Sequence, residues 1–379
     1  MERRYTKETR LVQASNRKDD RTGAVNAPIY MSTAFEHTGV GESTGYDYAR
    51  TGNPTREVLE ETIADLEGGR YGFACSSGMA AIQAVLSLFS QGDDIIASLD
   101  LYGGTYRLFR EYWPQWGVDV RYVDPRDLQS VESAVKTNTR ALFIETPTNP
   151  LMQEADLQAL GEIARKHDLL LIVDNTFYTP LLQRPLESGA DIVIHSATKY
   201  LGGHNDVVAG LIVADDDELG TRLFNIQNGI GMTLGAFDAW LLVRGMKTLS
   251  LRMEKHQQNA AAVCKMLGSH PLITEVLYPG QGGMLSFKVH DERLVDPLLR
   301  HLQLVTFAES LGGVESLMTY PSVQTHADIP EEVRVKNGVT NDLLRLSCGI
   351  ENEQDISADI TQALEAAEKQ IAGREERYT

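Results

Sequence analysis

One aspartate and one lysine carry the chemistry that this sequence can do. Asp174 ends the apolar run LLLIVD (169–174), and Lys199 closes the turn after the run Ile192 to Ile194 in IVIHSATK (192–199). Open α/β sheets bind ligands outside the carboxyl ends of their strands. If the two strands are neighbours, both side chains face one crevice. A lysine amine and a buried carboxylate at opposite ends of a flat ring are what pyridoxal phosphate needs. The amine forms an imine with the cofactor, and the carboxylate keeps the pyridine nitrogen protonated so that the ring accepts electrons. Taken singly, each residue has an ordinary reading: a helix cap for Asp174, and a solvated surface amine for Lys199.

The neighbouring residues favour the cofactor. Ser196 and Thr198 flank the lysine with hydroxyls, and Gly202-Gly203 allow close backbone approach. Upstream, Ser76-Ser77-Gly78-Met79 opens a helix whose free N–H groups and dipole suit a phosphate dianion; an ordinary serine cap reads the same way. Arg50 is a candidate for the balancing charge. Tyr102 follows the apolar run DIIASLDLY (94–102) and can stack on a ring, or be a half-buried core tyrosine. Arg345 interrupts the apolar strand 343–347 and needs a partner. A substrate α-carboxylate would be a two-pronged one, and an interdomain salt bridge is the alternative.

Alternating elements must position these groups. From about 60 to 245, apolar runs end near Ile95-Ile96, Val118-Val120, Leu142-Ile144, Leu169-Val173, Ile192-Ile194 and Leu211-Val213. Between them, Met79, Ile82, Val85, Leu86 and Phe89 fall at helical spacing, as do Leu157, Leu160, Ile163 and Ala164. Strands alternating with helices predict a mainly parallel sheet covered on both faces. Residues 1–60 read as an arm rich in Arg, Thr, Gly and Asn, with exposed aromatics in Gly39 to Arg56. Residues 61–245 read as the cofactor-binding domain, and 246–379 as a smaller α+β domain. The latter has helices over Leu249 to Leu267 and Asp355 to Ala372, and strands over Met284 to Val289 and Leu343 to Ser347.

Composition bounds the function. The chain has 379 residues, 42% hydrophobic, with a formal net charge of -18. That length suits two modest domains. The acidic balance repels phosphate backbones and argues against nucleic acid. Cys75, Cys264 and Cys348 are too few and too scattered for a disulfide framework or a zinc site, and each reads as a small buried hydrophobe. His195 and His204 flank the lysine turn without a ligand-spaced partner, so no metal is expected. Met1 to Ser15 shows no apolar signal core, and no run reaches membrane-span length. The cytoplasm is the expected location.

The motifs HSATKYLGGH (195–204), ETPTNP (145–150), VDNTF (173–177), SSGMAA (76–81) and YARTGNPT (48–55) together resemble the Cys/Met-metabolism family of pyridoxal-phosphate enzymes. The resemblance runs from about residue 10 to 370. It implies the aspartate-aminotransferase-like fold type I, a mainly parallel seven-stranded sheet with a smaller C-terminal domain. It further implies a homotetramer of two active dimers. By motif match, Lys199 is the Schiff-base lysine and proton shuttle, Asp174 pairs with the pyridine nitrogen, and Tyr102 stacks on the ring. Gly78, Met79, Ser196 and Thr198 hold the phosphate. Tyr48 and Arg50 reach the phosphate of the neighbouring subunit's cofactor, and Asn149 lies beside the ring hydroxyl. Ser310 and Arg345 bind the substrate carboxylate.

Within the family, several features point to γ-replacement on an O-acylated homoserine. No cysteine follows Tyr102 in YGGTYRLF (102–109), where methionine γ-lyases carry a reactive one. Glu309, in FAESLGGVESL (307–317), is similar to the acid that γ-acting members use near the distal amino group of cystathionine, with Asp47 and Arg107 adding to that pocket. YPGQGGMLSF (278–287) is a shortened form of a longer family loop. It is most similar to bacterial cystathionine γ-synthases that also act as O-acetylhomoserine thiolyases. The rivals are a γ- or β-lyase using the same residues, and a binding protein without turnover, which the intact lysine and phosphate motifs oppose. A nicotinamide enzyme lacks its G-x-G-x-x-G.

Overall fold

A computed structural model describes residues 5–14, 16, 19 and 21–375. Parts of the expected arm, residues 1–4, 15, 17, 18 and 20, lie outside the described residues. The chain divides into two compact units. One takes in Met1–Ala97, Trp113–Ile144 and Asp156–Ser250, the other Ser98–Tyr112, Glu145–Ala155 and Leu251–Thr379.

The larger sheet contains β1 (Tyr71–Cys75), β2 (Asp94–Ser98), β3 (Asp119–Val123), β4 (Thr139–Glu145), β5 (Leu170–Asp174), β6 (Ile192–Ser196) and β7 (Gly210–Ala214). Their spatial order is β1-β7-β6-β5-β4-β2-β3. β5 runs parallel to β6, and β2 to β4, while β7 runs antiparallel to both β6 and β1. The sheet is therefore mixed, with β7 running against both of its neighbours, and it has the seven strands that the resemblance implies. Leu171, Ile172, Val173, Ile192, Val193 and Ile194 are buried to 0% exposure. A strand covered on both faces must be apolar on both, so these runs do not alternate. Each such side chain contributes about 1.5–3 kcal/mol on burial. Gly72 and Gly210 mark where helices press on the sheet. A Cβ on either would lie 2.1 Å from a backbone oxygen, of Glu60 and of Ser77 respectively.

The smaller sheet holds β8 (Ile273–Leu277), β9 (Met284–Val289), β10 (Thr306–Phe307), β11 (Leu317–Thr319) and β12 (Leu343–Ser347) in the order β10-β11-β12-β9-β8. Its core joins Leu285, Phe287, Leu344 and Leu346 to Val263, Leu267, Ile356, Ile360 and Leu364. The last three recur at helical spacing along the helix Glu353–Glu375, which gives it one apolar stripe. Side chains alternate across a strand. With Leu344 and Leu346 in this core, Arg345 faces the other way.

The six runs read from the sequence are all strands, and β9 and β12 fall where expected. β3 lies further along than its run suggested, at Asp119–Val123. Four strands were not foreseen. β1 carries Gly72 as its second residue, and β8 is half-exposed. β10 and β11 have 2 and 3 residues, too few for any period to show. The arm is also more ordered than its composition implied. Lys7–Gln13 is helical, and Pro54–Glu67 is a helix capped by Asn53, whose side chain accepts from Thr55 N and Arg56 N. Cys75 and Cys348 are buried as expected, but Cys264 is only partly so. Among the described residues no helix is long and apolar enough to cross a membrane.

Candidate active site

The ends of β5 and β6 set the first group of residues. Asp174 closes β5 opposite Ile194 of the parallel strand β6, and Ser196 ends β6 three residues before Lys199. The neighbouring-strand condition is therefore met. Thr176 ties the two ends together. Its N–H and its hydroxyl donate to Asp174 Oδ1, at 3.0 and 2.5 Å, and its Oγ1 accepts from Ser196 N at 2.8 Å. Asp174 is 8% exposed. Burial raises its carboxyl above the ordinary value, while the Thr176 hydrogen bonds and the charge of His195 oppose the rise.

The lysine turn is fixed by its own backbone. Lys199 N donates to Ser196 O at 3.2 Å and Gly203 N to Lys199 O at 2.8 Å. Gly203 has φ +74°, which suits a residue without Cβ. Thr198 is bonded through its hydroxyl to Ala209 N and Ala209 O, at 3.1 and 3.2 Å. The helix Gly78–Leu86 begins beside this turn. Its cap Ser77 accepts from Ala80 N at 3.0 Å. That is the ordinary serine cap, and it leaves the remaining N–H groups of the first turn without intrahelical partners. A Cβ on Gly78 would come within 2.8 Å of Ser196 Cβ, so only glycine lets the helix start approach the turn this closely. Gly78, Met79, Ser196, Thr198, Asp174 and Lys199 thus belong to one end of one sheet.

In the arm, the Arg50 guanidinium lies 5.7 Å from the centre of the Tyr48 ring and donates to Asn228 O. Both line a cavity of about 250 Å³ with Asn53, Arg56 and Thr233 to Ala236. The buried Arg56 holds this turn by donating to Ala49 O (2.8 Å) and Arg50 O (3.2 Å). Asp47 pairs with His37 at 2.9 Å and accepts from Ser43 at 2.5 Å.

The second unit assembles Tyr102, Asn149, Ser310 and Arg345. Arg345 is 1% exposed. It donates to Asn149 Oδ1 (2.7 Å), Ser310 O (2.9 Å) and Thr319 Oγ1 (3.0 Å). These partners are neutral oxygens, which orient the guanidinium. Ser310 reaches its position with φ +91°, a strained value for a residue with a side chain. Glu145 organises the rest, its two carboxylate oxygens accepting from Tyr102 N at 2.9 Å and Asn149 N at 3.0 Å. Burial, and then the charge of the exposed Glu309, raise the Tyr102 hydroxyl above its usual value. Arg107 is turned to Asp328 at 2.6 Å, both half-exposed.

His326 locks Asn149 from behind. Its Nε2 lies 3.0 Å from Asn149 O and its Nδ1 2.8 Å from Thr325 Oγ1. Nε2–H donation to the carbonyl and acceptance at Nδ1 satisfy a neutral ring. Burial first, and the Arg345 charge next, push it down to about 4. An unfolded histidine titrates near 6.5, so between these values the unfolded chain binds more protons. Stability therefore falls as pH drops through this window. Urea unfolding of the wild type should lose about 2 kcal/mol more than His326→Gln between pH 7 and pH 5.

Thr176, Glu145, Thr319 and His326 escaped sequence reasoning. Glu145 stands inside the ETPTNP motif and was open to inspection there. The others announce themselves only once strand pairing is known.

A family profile described as "Cys/Met metabolism PLP-dependent enzyme" matches residues 8–365. The chain belongs to the Cys/Met-metabolism family of pyridoxal-phosphate-dependent enzymes. It is 59% identical, over 94% of its length and 96% of the relative's, to a Bacillus subtilis protein named cystathionine gamma-synthase/O-acetylhomoserine (thiol)-lyase. It is 57% identical to a cystathionine gamma-synthase of Haemophilus influenzae, covering 96% of this chain and 99% of that one. The crystal structure of a Lactobacillus plantarum cystathionine gamma-lyase with L-serine superposes with a TM-score of 0.94 at 44% identity, covering 96% of this chain and all of that one.

The residues present fit the cofactor of this family. Asp174 Oδ1 is occupied by Thr176, while Oδ2 has no hydrogen-bond partner among the described residues. A buried carboxylate whose proton affinity is raised by desolvation is completed by a cationic N–H, and a protonated pyridine nitrogen is one. The helix start at Gly78 gives backbone donors for a phosphate.

Proposed function

We propose that this protein catalyses γ-replacement on O-acyl-L-homoserine, acetyl or succinyl. L-Cysteine is the acceptor, giving L-cystathionine and the free acid, and sulfide is a second acceptor giving homocysteine. The reaction belongs to transsulfuration toward methionine. What carries this reading is identity of 59% and 57% with relatives named cystathionine gamma-synthases, over nearly the whole chain.

When bound at Lys199, the cofactor supplies an electron sink for the pair left by breaking a C–H bond beside the substrate amine. The chain's own residues do the rest. Asp174 keeps the ring nitrogen positive. Gly78, Met79, Ser196 and Thr198 bind the phosphate, with Tyr48 and Arg50 doing so for a neighbouring subunit in a homotetramer. The neutral Lys199 amine takes the proton from Cα and returns protons at the end, with Tyr102 or Tyr48 assisting. Arg345 and Ser310 hold the α-carboxylate, and Asn149 orients the ring on its hydroxyl side. Glu309, with Asp47 and Arg107, favours the distal amino group of cystathionine. The half-exposed Tyr48, at 50% exposure, and its cavity support an arm that completes a neighbour's site. A cytoplasmic location accords with three free cysteines.

A substrate panel read by mass spectrometry tests the proposal. Purified protein given O-acetyl- or O-succinyl-homoserine and cysteine should accumulate cystathionine. Release of 2-oxobutanoate from cystathionine alone, with no cystathionine made from the esters, would identify a γ-lyase instead.

A further inference from the structure

Glu67 and His195 are both buried to 0% exposure, and no proposed role uses either. Glu67 is the last residue of the helix Pro54–Glu67 and lies against the larger sheet. Its Oε1 accepts from two groups at once, at 2.6 Å from His195 Nε2 and 3.0 Å from Asn175 Nδ2. Asn175 directly follows Asp174, and His195 directly precedes Ser196. One carboxylate oxygen therefore bridges the ends of the two strands that carry the ring-nitrogen carboxylate and the lysine turn.

The bridge is reinforced on the Asn175 side. Asn175 N donates to Ile194 O at 2.9 Å, Asn175 Nδ2 also donates to Gln183 O at 2.9 Å, and Gln183 Nε2 donates to Asn175 Oδ1 at 3.0 Å. Thr176 links the same two strands through Asp174 Oδ1 and Ser196 N. The strand ends are thus tied by two independent polar links, with Asp174 held between them. A carboxylate and a histidine buried together are expensive to desolvate. Apolar packing would fasten a helix to a sheet without them. Among the described residues Glu67 Oε2 and His195 Nδ1 have no hydrogen-bond partner, so the pair is a poor choice for stability alone.

We propose that Glu67 is a positioning residue for the cofactor, acting through His195 and Asn175 to fix Asp174 relative to the Lys199 turn. The inference rests on the pyridoxal-phosphate reading and not on the choice of substrate. Its test therefore uses cofactor binding, which an error in the acyl donor or thiol leaves untouched.

Glu67→Leu removes both acceptors at similar volume, while Glu67→Gln keeps an Oε1 acceptor for both donors. The dissociation constant of pyridoxal phosphate from the apoprotein should rise at least about tenfold in Glu67→Leu, as for other outer residues that orient a site. It should stay near the wild-type value in Glu67→Gln. The 15N signal of labelled cofactor should move toward the unprotonated ring in the leucine variant alone. A folded Glu67→Leu protein with wild-type affinity and 15N signal, and only a lower melting temperature, would make the pair a fold staple and overturn the proposal. If that variant does not fold, Asn175→Ala decides, because it cuts the bridge on the Asp174 side and leaves the Glu67–His195 bond. Weakened cofactor binding there supports the proposal, and unchanged binding overturns it.

Discussion

Lys199→Ala should lose turnover by at least about ten-thousand-fold, the upper end of what one positioned acid–base group supplies. It should also lose the visible absorbance of the bound cofactor. The two losses come from one atom. In the proposed mechanism the Lys199 amine is both the covalent attachment point and the group that moves the substrate proton, so no second residue would retain half the function. Neighbouring hydroxyls do not substitute for it. Thr198 is engaged with Ala209 N and O at 3.1 and 3.2 Å, and Ser77 caps its helix at 3.0 Å. An unperturbed lysine titrates near 10.4, so acting as a base at neutral pH requires its ammonium form to be disfavoured. The measurement is single-turnover cystathionine formation alongside the absorbance spectrum. A Lys199→Ala protein that kept either signal would separate the two roles and remove the mechanism.

The same residue shows why part of this site is legible in sequence. Lys199 and Asp174 stand out because each charge closes an apolar run, and a strand end in an α/β sheet is where a ligand sits. Arg345 stands out because a guanidinium inside an apolar strand is out of place. These signals are local in the chain. Thr176 and Glu67 give no such signal, because each matters through what it touches across the fold. Thr176 joins Asp174 to a strand that begins only at Ile192, and Glu67 is 128 residues from the histidine it holds. Pairing of β5 with β6 must be known before either bond can be conceived.

The strands divide on the same principle. β5, β6 and β7 are covered on both faces and read as unbroken apolar runs. β1 sits at the sheet edge beside β7, with a glycine where the Glu60 carbonyl comes close. Its residues answer to that contact and not to a pattern along the strand. Arg107 shows the opposite limit. Its sequence context suggests a distal substrate pocket, and its side chain is paired with Asp328 at 2.6 Å. A long exposed side chain takes whichever carboxylate is near, and such surface pairs contribute only about 0.2–1 kcal/mol. Arg107→Ala should therefore leave stability almost unchanged, and any effect it has should appear in KM for L-cysteine.

Asp174→Asn should lower kcat by about a hundred- to several-thousand-fold, since removing one partner of a buried ion pair costs about 3–5 kcal/mol. Asparagine preserves the shape and can still accept from Thr176, so fold and cofactor attachment at Lys199 should survive. What would be lost, on the proposed role of Asp174, is the negative charge that keeps the ring nitrogen protonated, and with it the capacity to take up an electron pair. The pH dependence of the apoprotein gives an independent sign. Burial raises the Asp174 carboxyl above its value in the unfolded chain, so the folded state binds the proton more tightly. The stability this confers is complete below the unfolded value and is lost as pH rises through the folded one. Wild-type apoprotein should therefore lose more stability than apo Asp174→Asn as pH rises through that interval. Cofactor should restore more stability to the wild type, because a ring cation offsets the buried charge in one protein and meets a neutral amide in the other. Unfolding curves of the four species, apo and loaded, across pH measure both differences. Equal cofactor stabilisation in wild type and Asp174→Asn would show that Asp174 does not face the ring nitrogen.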